Sequence, residues 1–160
     1  MATNMFKFAG SQPQKFAGGD MWRASLTNFG ALKGLAIQAL RLEKGAVREP
    51  HVHPNAHQLD YCVSGTAKVG IVGPDGHKQH LDLSEGDISF VPQGYLHWIE
   101  NTSDKELHFL VVLSHEEPET IELSEMLAGV DDDTLKKLFG FGAATFKNVP
   151  KSGIRICKGP

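Results

Sequence analysis

Apolar and polar positions alternate with a period of two through most of the stretch from Leu32 to Leu113. In Thr66–Val72, Ala67, Val69 and Ile71 share one face, and Lys68 and Gly70 share the other. The pattern predicts strands over Leu32–Leu42, Val47–His53, Leu59–Val63, Thr66–Val72, His77–Leu83, Ile88–Val91, Trp98–Asn101 and Leu107–Leu113. Turn residues separate them: Lys44-Gly45, Pro54-Asn55, Ser64-Gly65, Gly73-Pro-Asp-Gly76, Ser84-Glu-Gly-Asp87 and the run 102–105. Short strands at roughly 8–12-residue spacing make an all-β sandwich or barrel. The pattern alone leaves these two open.

The periodicity changes at both ends. Residues 1–30 read as an N-terminal arm, with Phe6, Phe8 and Phe16 set among Gly, Gln and Ser. Residues 31–117 form the β-domain, and 118–160 a helical extension and tail. Within the extension, Thr120–Ala128 predicts a helix ended near Gly129. A second follows Asp131-Asp-Asp133, with Lys136 and Lys137 toward its end and Gly140 after it.

The chain has 160 residues, which suits one domain with a core of its own. A formal net charge of -3 without a long basic run argues against a nucleic-acid partner. There is no apolar run long enough to span a membrane and no signal-peptide pattern at the N-terminus. Cys62 and Cys157 are the only cysteines. That is no disulfide framework, so a reducing cytoplasm is the expected setting.

The chemistry concentrates in two stretches. In the first, His51 and His53 are two residues apart on a predicted strand, so both imidazoles face one point. The second supplies His97 on another strand. Three histidines converging inside a β-structure suit a transition metal with positions left for substrate. Gln58, Asp60 and Cys62 share one phase of the next strand. Gln58 offers a neutral carbonyl oxygen, Asp60 a polar lining group, and Cys62 a small buried apolar side chain. His57 neighbours Gln58 and should point the other way. Arg48 is out of phase with His51 and should face away from it on a regular strand. Phe90, Tyr95 and Trp98 are expected to wall the pocket or fill the core. Glu116 and Glu117 are candidate proton donors on a loop over the site.

These stretches resemble the two motifs of the cupin superfamily. Gly45, His51, His53 and Gly65 match the first, with Gln58 where the family has Glu. Gly86, Pro92, Gly94, His97 and Asn101 match the second without a gap. The chain is further similar to one lobe of the two-lobed oxalate decarboxylases and to the germin-like cupins. That likeness runs through Gly18-Gly19, Arg41–Glu49, Asp75-Gly-His77 and Ile121–Ala128. It implies a double-stranded β-helix (jelly-roll) barrel with short C-terminal helices. It also implies a divalent metal held by His51, His53, His97 and the residue at 58. By resemblance that metal is manganese, with iron, nickel, cobalt and zinc open. It further implies a substrate carboxylate gripped by Arg48, a lid over 114–119, and a homodimer or larger homo-oligomer.

The expected function is a metal-dependent reaction on a small carboxylate, as in oxalate decarboxylation. A three-His dioxygenase or isomerase and a non-catalytic binding or sensor module stand as alternatives. Gln58 bears on the choice, because losing the Glu charge leaves the site more cationic and strengthens anion binding.

Overall fold

The strands fall into two antiparallel sheets that face each other. The structure, a computed structural model, describes residues 3–140, 153 and 155–159. One sheet runs β1 (Gln14–Phe16), β2 (Gly19–Ala24), β3 (Ala36–Leu42), β10 (Leu107–Leu113), β5 (Gln58–Ser64) and β8 (Ile88–Val91). The other runs β11 (Ile121–Glu122), β4 (Val47–Val52), β9 (Leu96–Asn101), β6 (Thr66–Val72) and β7 (Lys78–Ser84), with β12 (Ile156–Cys157) also on β4. This is the all-β jelly roll expected.

The period-two pattern sets which side chains meet between the sheets. Along β3 every second residue is buried, from Ala36 through Leu40 to Leu42. Along β10, Leu107, Phe109, Val111 and Leu113 do the same. Burial of these side chains is the main drive for closing the sandwich. The inward row of β9 runs from Asn101 through Ile99 to His97, so the apolar core gives way to imidazole at one end. Asn101 closes the other end, where its amide donates to the carbonyls of Leu42, Glu43 and Lys105.

Two turns that position the site need glycine. Gly45 (φ 69) starts the turn into β4, and Gly94 (φ 81) shapes the turn into β9. The Gly94 N–H donates to the His53 carbonyl at 3.0 Å, which ties the two histidine-bearing stretches together.

Both ends differ from the sequence pattern. Residues within the expected arm form β1 and β2, which extend the first sheet beyond β3. The helix expected from Thr120 starts at Leu123 (α1, Leu123–Ala128), because Ile121 and Glu122 pair with Val52 and His51. Glu122 then caps α1 reciprocally with Glu125. The second helix, α2 (Asp132–Phe139), is capped by Asp131 and ended by left-handed Gly140, as expected. Of the expected tail, 141–152, 154 and 160 lie outside the described residues. Residues 155–159 return to the barrel, where Ile156 is buried beside Arg48.

Candidate metal centre

Three strands and both sheets build the site. β4 and β9 place His51 directly opposite His97, and His53 follows just past the end of β4. β5 brings Gln58 across from the facing sheet. The histidines offer nitrogens that all lie within 4.8 Å of one another. The rings of His51 and His97 are centred 4.1 Å apart. All three side chains are buried.

The backbone fixes which nitrogen each ring presents. Nδ1 of His51 donates to the Glu49 carbonyl at 2.7 Å, that of His53 to the Glu119 carbonyl at 2.7 Å, and that of His97 to the Tyr95 carbonyl at 3.0 Å. A carbonyl only accepts, so each Nδ1 carries the proton and each Nε2 keeps its lone pair. Gln58 Oε1 lies 3.1 Å from Nε2 of both His53 and His97. Acceptors therefore face acceptors with no N–H between them, an arrangement that a cation at the centre satisfies.

The rings are held neutral. Burial lowers the His53 pKa to about 4 and the His97 pKa to about 3, and takes His51 well below its ordinary value. The Arg48 charge pushes all three the same way. Neutral imidazole is the form that ligates a metal. The donor set thus fits a divalent transition ion: three borderline nitrogens and one neutral oxygen.

Arg48 does reach the inner face. The β4–β9 register slips by one residue between Arg48 and His51, so Arg48 pairs with inward-facing Ile99. Pro50, which has no N–H for the ladder, sits in the bulge and was the signal in the sequence. The guanidinium is not open, however. Nη1 and Nη2 each donate to a Glu122 oxygen at 2.6 Å, and Nη1 also reaches the Arg155 carbonyl at 3.2 Å. The fork expected to grip a substrate holds Glu122.

Asp60 lines the site as its phase predicts. It accepts from the Gln58 amide at 2.8 Å and from the Ser89 hydroxyl at 2.7 Å. Burial pushes its pKa up to about 7 against those two hydrogen bonds. Cys62 shares that phase but belongs to the apolar core. His57 points outward, stacks on Phe90 and accepts from the Gln93 N–H.

Three expected site residues lie elsewhere. Phe90 is 54% exposed, because Ser89 and Val91 take the inward phase of β8. Glu117 binds the Thr27 N–H and Arg23, which hold its carboxyl below the usual range. Glu116 binds the Gly34 N–H at 2.7 Å. Both acids thus fasten the 114–119 segment to the loop after β2. Asn55 pins the same segment, through the Glu117 carbonyl and the Glu119 N–H. Tyr95 contributes to the site through its carbonyl. Its ring helps line a surface hollow of about 410 Å³ with Phe90, Asp75 and His77.

Sequence reading missed Glu122 and Ser89. Ser89 could have been found, since it shares the inward phase of Val91. Glu122 could not, because its partner Arg48 is 74 positions away.

A family model described as cupin matches residues 9–147. The chain belongs to the cupin family. It is 32% identical over 123 residues to oxalate decarboxylase OxdC of Bacillus subtilis (strain 168), covering 77% of this chain and 32% of that protein. It is 33% identical over 112 residues to an oxalate decarboxylase of Arthroderma benhamiae, covering 69% of this chain and 26% of that one. A probable germin-like protein of Arabidopsis thaliana is 29% identical over 107 residues, 66% of this chain and 50% of its own. Solved structures of the Bacillus subtilis oxalate decarboxylase, one determined at pH 4.6 and another concerned with its Mn(II) centres, superpose with a TM-score of 0.91 at 28% identity. They cover 97% of this chain and 41% of the other. This cupin therefore spans about a third of the length of the decarboxylases it matches. The relatives and the three-His cluster together support a metal-binding cupin.

Proposed function

We propose that this cupin is a divalent-metal enzyme acting on a small carboxylate of the oxalate type. The observation that carries the reading is the convergence of three Nε2 lone pairs, each fixed by a backbone carbonyl on the opposite nitrogen. His51, His53 and His97 are the proposed ligands, with the Gln58 carbonyl oxygen as a fourth donor. The bound ion would supply Lewis acidity and a place for the substrate carboxylate.

The chain's own residues do the rest. The donors carry no net charge, so the centre keeps the full charge of the ion for an anionic substrate. Arg48 lies behind His51 with its charge matched by Glu122, and a substrate carboxylate competes with Glu122 for its fork. Manganese is the ion suggested by the relatives, while the amide in place of a carboxylate suits iron, cobalt, nickel or zinc as well. The same neutral set supports a second reading, a three-His dioxygenase or isomerase.

Both cysteines are free thiols, which fits a reducing cytoplasmic setting. Among the described residues no helix is long and apolar enough to cross a membrane. A homodimer is proposed on the outward face of β5 and β8, where Leu59, Tyr61, Val63, Ile88 and Phe90 stand exposed.

Metal content by mass spectrometry, for the parent and His51→Ala, tests the centre. Near-stoichiometric metal lost in His51→Ala is expected. Formate and CO2 released from oxalate then test the reaction. A parent that takes up no metal on reconstitution would leave a binding module.

A further inference from the structure

Gln58 is an unusual donor because an amide has two faces. Its oxygen can ligate and its NH2 group cannot, and a half-turn of the terminal torsion exchanges them. Nothing in the histidine cluster chooses between the faces, since three bare Nε2 lone pairs would accept from the NH2 group readily. The choice is made on the other side. The Gln58 amide donates to Asp60 Oδ1 at 2.8 Å, and Asp60 Oδ2 accepts from Ser89 Oγ at 2.7 Å. Reversing the amide would set its oxygen against a carboxylate oxygen. All three side chains are buried, so no solvent offers an alternative partner. Asp60 and Ser89 lie opposite each other on paired strands, β5 and β8, which fixes their distance from the backbone up.

We propose that Asp60 is the positioning residue of the centre, which, by holding the Gln58 amide with its oxygen inward, makes Gln58 the fourth protein donor. The proposal rests on the metal-centre reading above. It gives a chemical reason for two features of this chain together: an amide at the position where the cupin motif carries Glu, and an acid two residues on, inside the barrel. An amide alone at 58 would be free to turn its NH2 group to the histidines and close the site to a cation.

The test is titration of metal-free protein with Co(II), followed by calorimetry and by the visible bands that report the ion's donors. Parent protein is expected to bind one Co(II). Asp60→Leu and Gln58→Leu should each weaken binding by about 10–100-fold and shift the bands alike. The double variant should be no weaker than either single one, because both remove one oxygen. Asp60→Asn is expected to rescue only in part, since its own amide can face Gln58 with either its oxygen or its NH2 group. Parental affinity and bands in Asp60→Leu, or losses that simply add in the double variant, would overturn the proposal. If Asp60→Leu does not fold, Gln58→Leu decides, and parental affinity there overturns it. A parent that binds no Co(II) instead overturns the metal centre itself.

Discussion

The two terminal nitrogens of Arg48, Nη1 and Nη2, grip both carboxylate oxygens of Glu122, at 2.6 Å each, with the two side chains almost wholly buried. The pair joins the bulge in β4 to the start of α1, directly beside the histidines. It therefore couples the C-terminal extension to the site rather than leaving it an appendage. Removing one partner leaves a buried charge alone. Glu122→Leu is expected to destabilise the fold by about 3–5 kcal/mol, and Arg48→Met/Glu122→Leu to recover most of that. Urea unfolding of the three proteins checks it. Equal losses in the single and double variants would refute the coupling.

Metal should stabilise the fold through the three histidines. At a thousandfold excess over the dissociation constant, a ligand bound by the native state alone adds about 4 kcal/mol. The melting temperature of the parent is expected to rise with added Co(II) or Mn(II) and to fall back with chelator. His53→Ala and His97→Ala should show no rise. A metal-dependent rise in either variant would place the ion elsewhere.

The metal-free chain has a pH dependence whose sign follows from burial. His53 and His97 fall from an ordinary 6.5 to about 4 and about 3, and His51 moves the same way. The unfolded chain thus binds more protons below pH 6.5, and stability is lost as pH falls through that window. Asp60 rises from 3.8 to about 7, so its contribution is lost as pH rises between those values. Each proton is worth about 1.4 kcal/mol per pH unit. Three histidines outweigh one acid, so chelator-treated protein should gain stability as pH rises to about 7 and level off above it. Asp60→Asn should steepen the rise between about pH 4 and pH 7, because it removes the opposing slope. Melting temperatures of the parent and Asp60→Asn across about pH 4–8 compare the two slopes.

The two loop acids should matter little to the centre. Glu116 and Glu117 are spent on the N–H groups of Gly34 and Thr27. Glu116→Gln and Glu117→Gln are expected to keep the parent's metal content and any turnover of a carboxylate substrate. Turnover abolished in either variant, with metal retained, would restore the lid role.

Gln58→Glu should shift metal preference toward manganese, because a charged, hard oxygen replaces a neutral one. Competitive loading with Mn(II) and Co(II), read by mass spectrometry, compares the two proteins. An unchanged ratio would show that residue 58 does not touch the ion.

The sequence by itself determined the strands from β3 to β10, the inward histidines and the amide among them. A period of two assigns His51, Gln58, Asp60 and Val69 to a face wherever the ladder is regular. Turn glycines such as Gly45 and Gly94 mark where it ends. The same rule kept His57 out of the site. It misjudged Arg48, because a bulge adds a residue and reverses the phase. It also left the side of Phe90 open, since β8 is only four residues long.

Only the tertiary structure decided the partners. That Glu122 fills the Arg48 fork, that Ser89 backs Asp60, and that Glu119 and Tyr95 contribute carbonyls to the histidines follows from strand register and loop path. Except for Tyr95 and His97, these contacts join residues far apart in the sequence, from 29 positions for Asp60 and Ser89 to 74 for Arg48 and Glu122. No local pattern of apolar and polar positions encodes them, because distance along the sequence carries no information about which faces the closed barrel brings together.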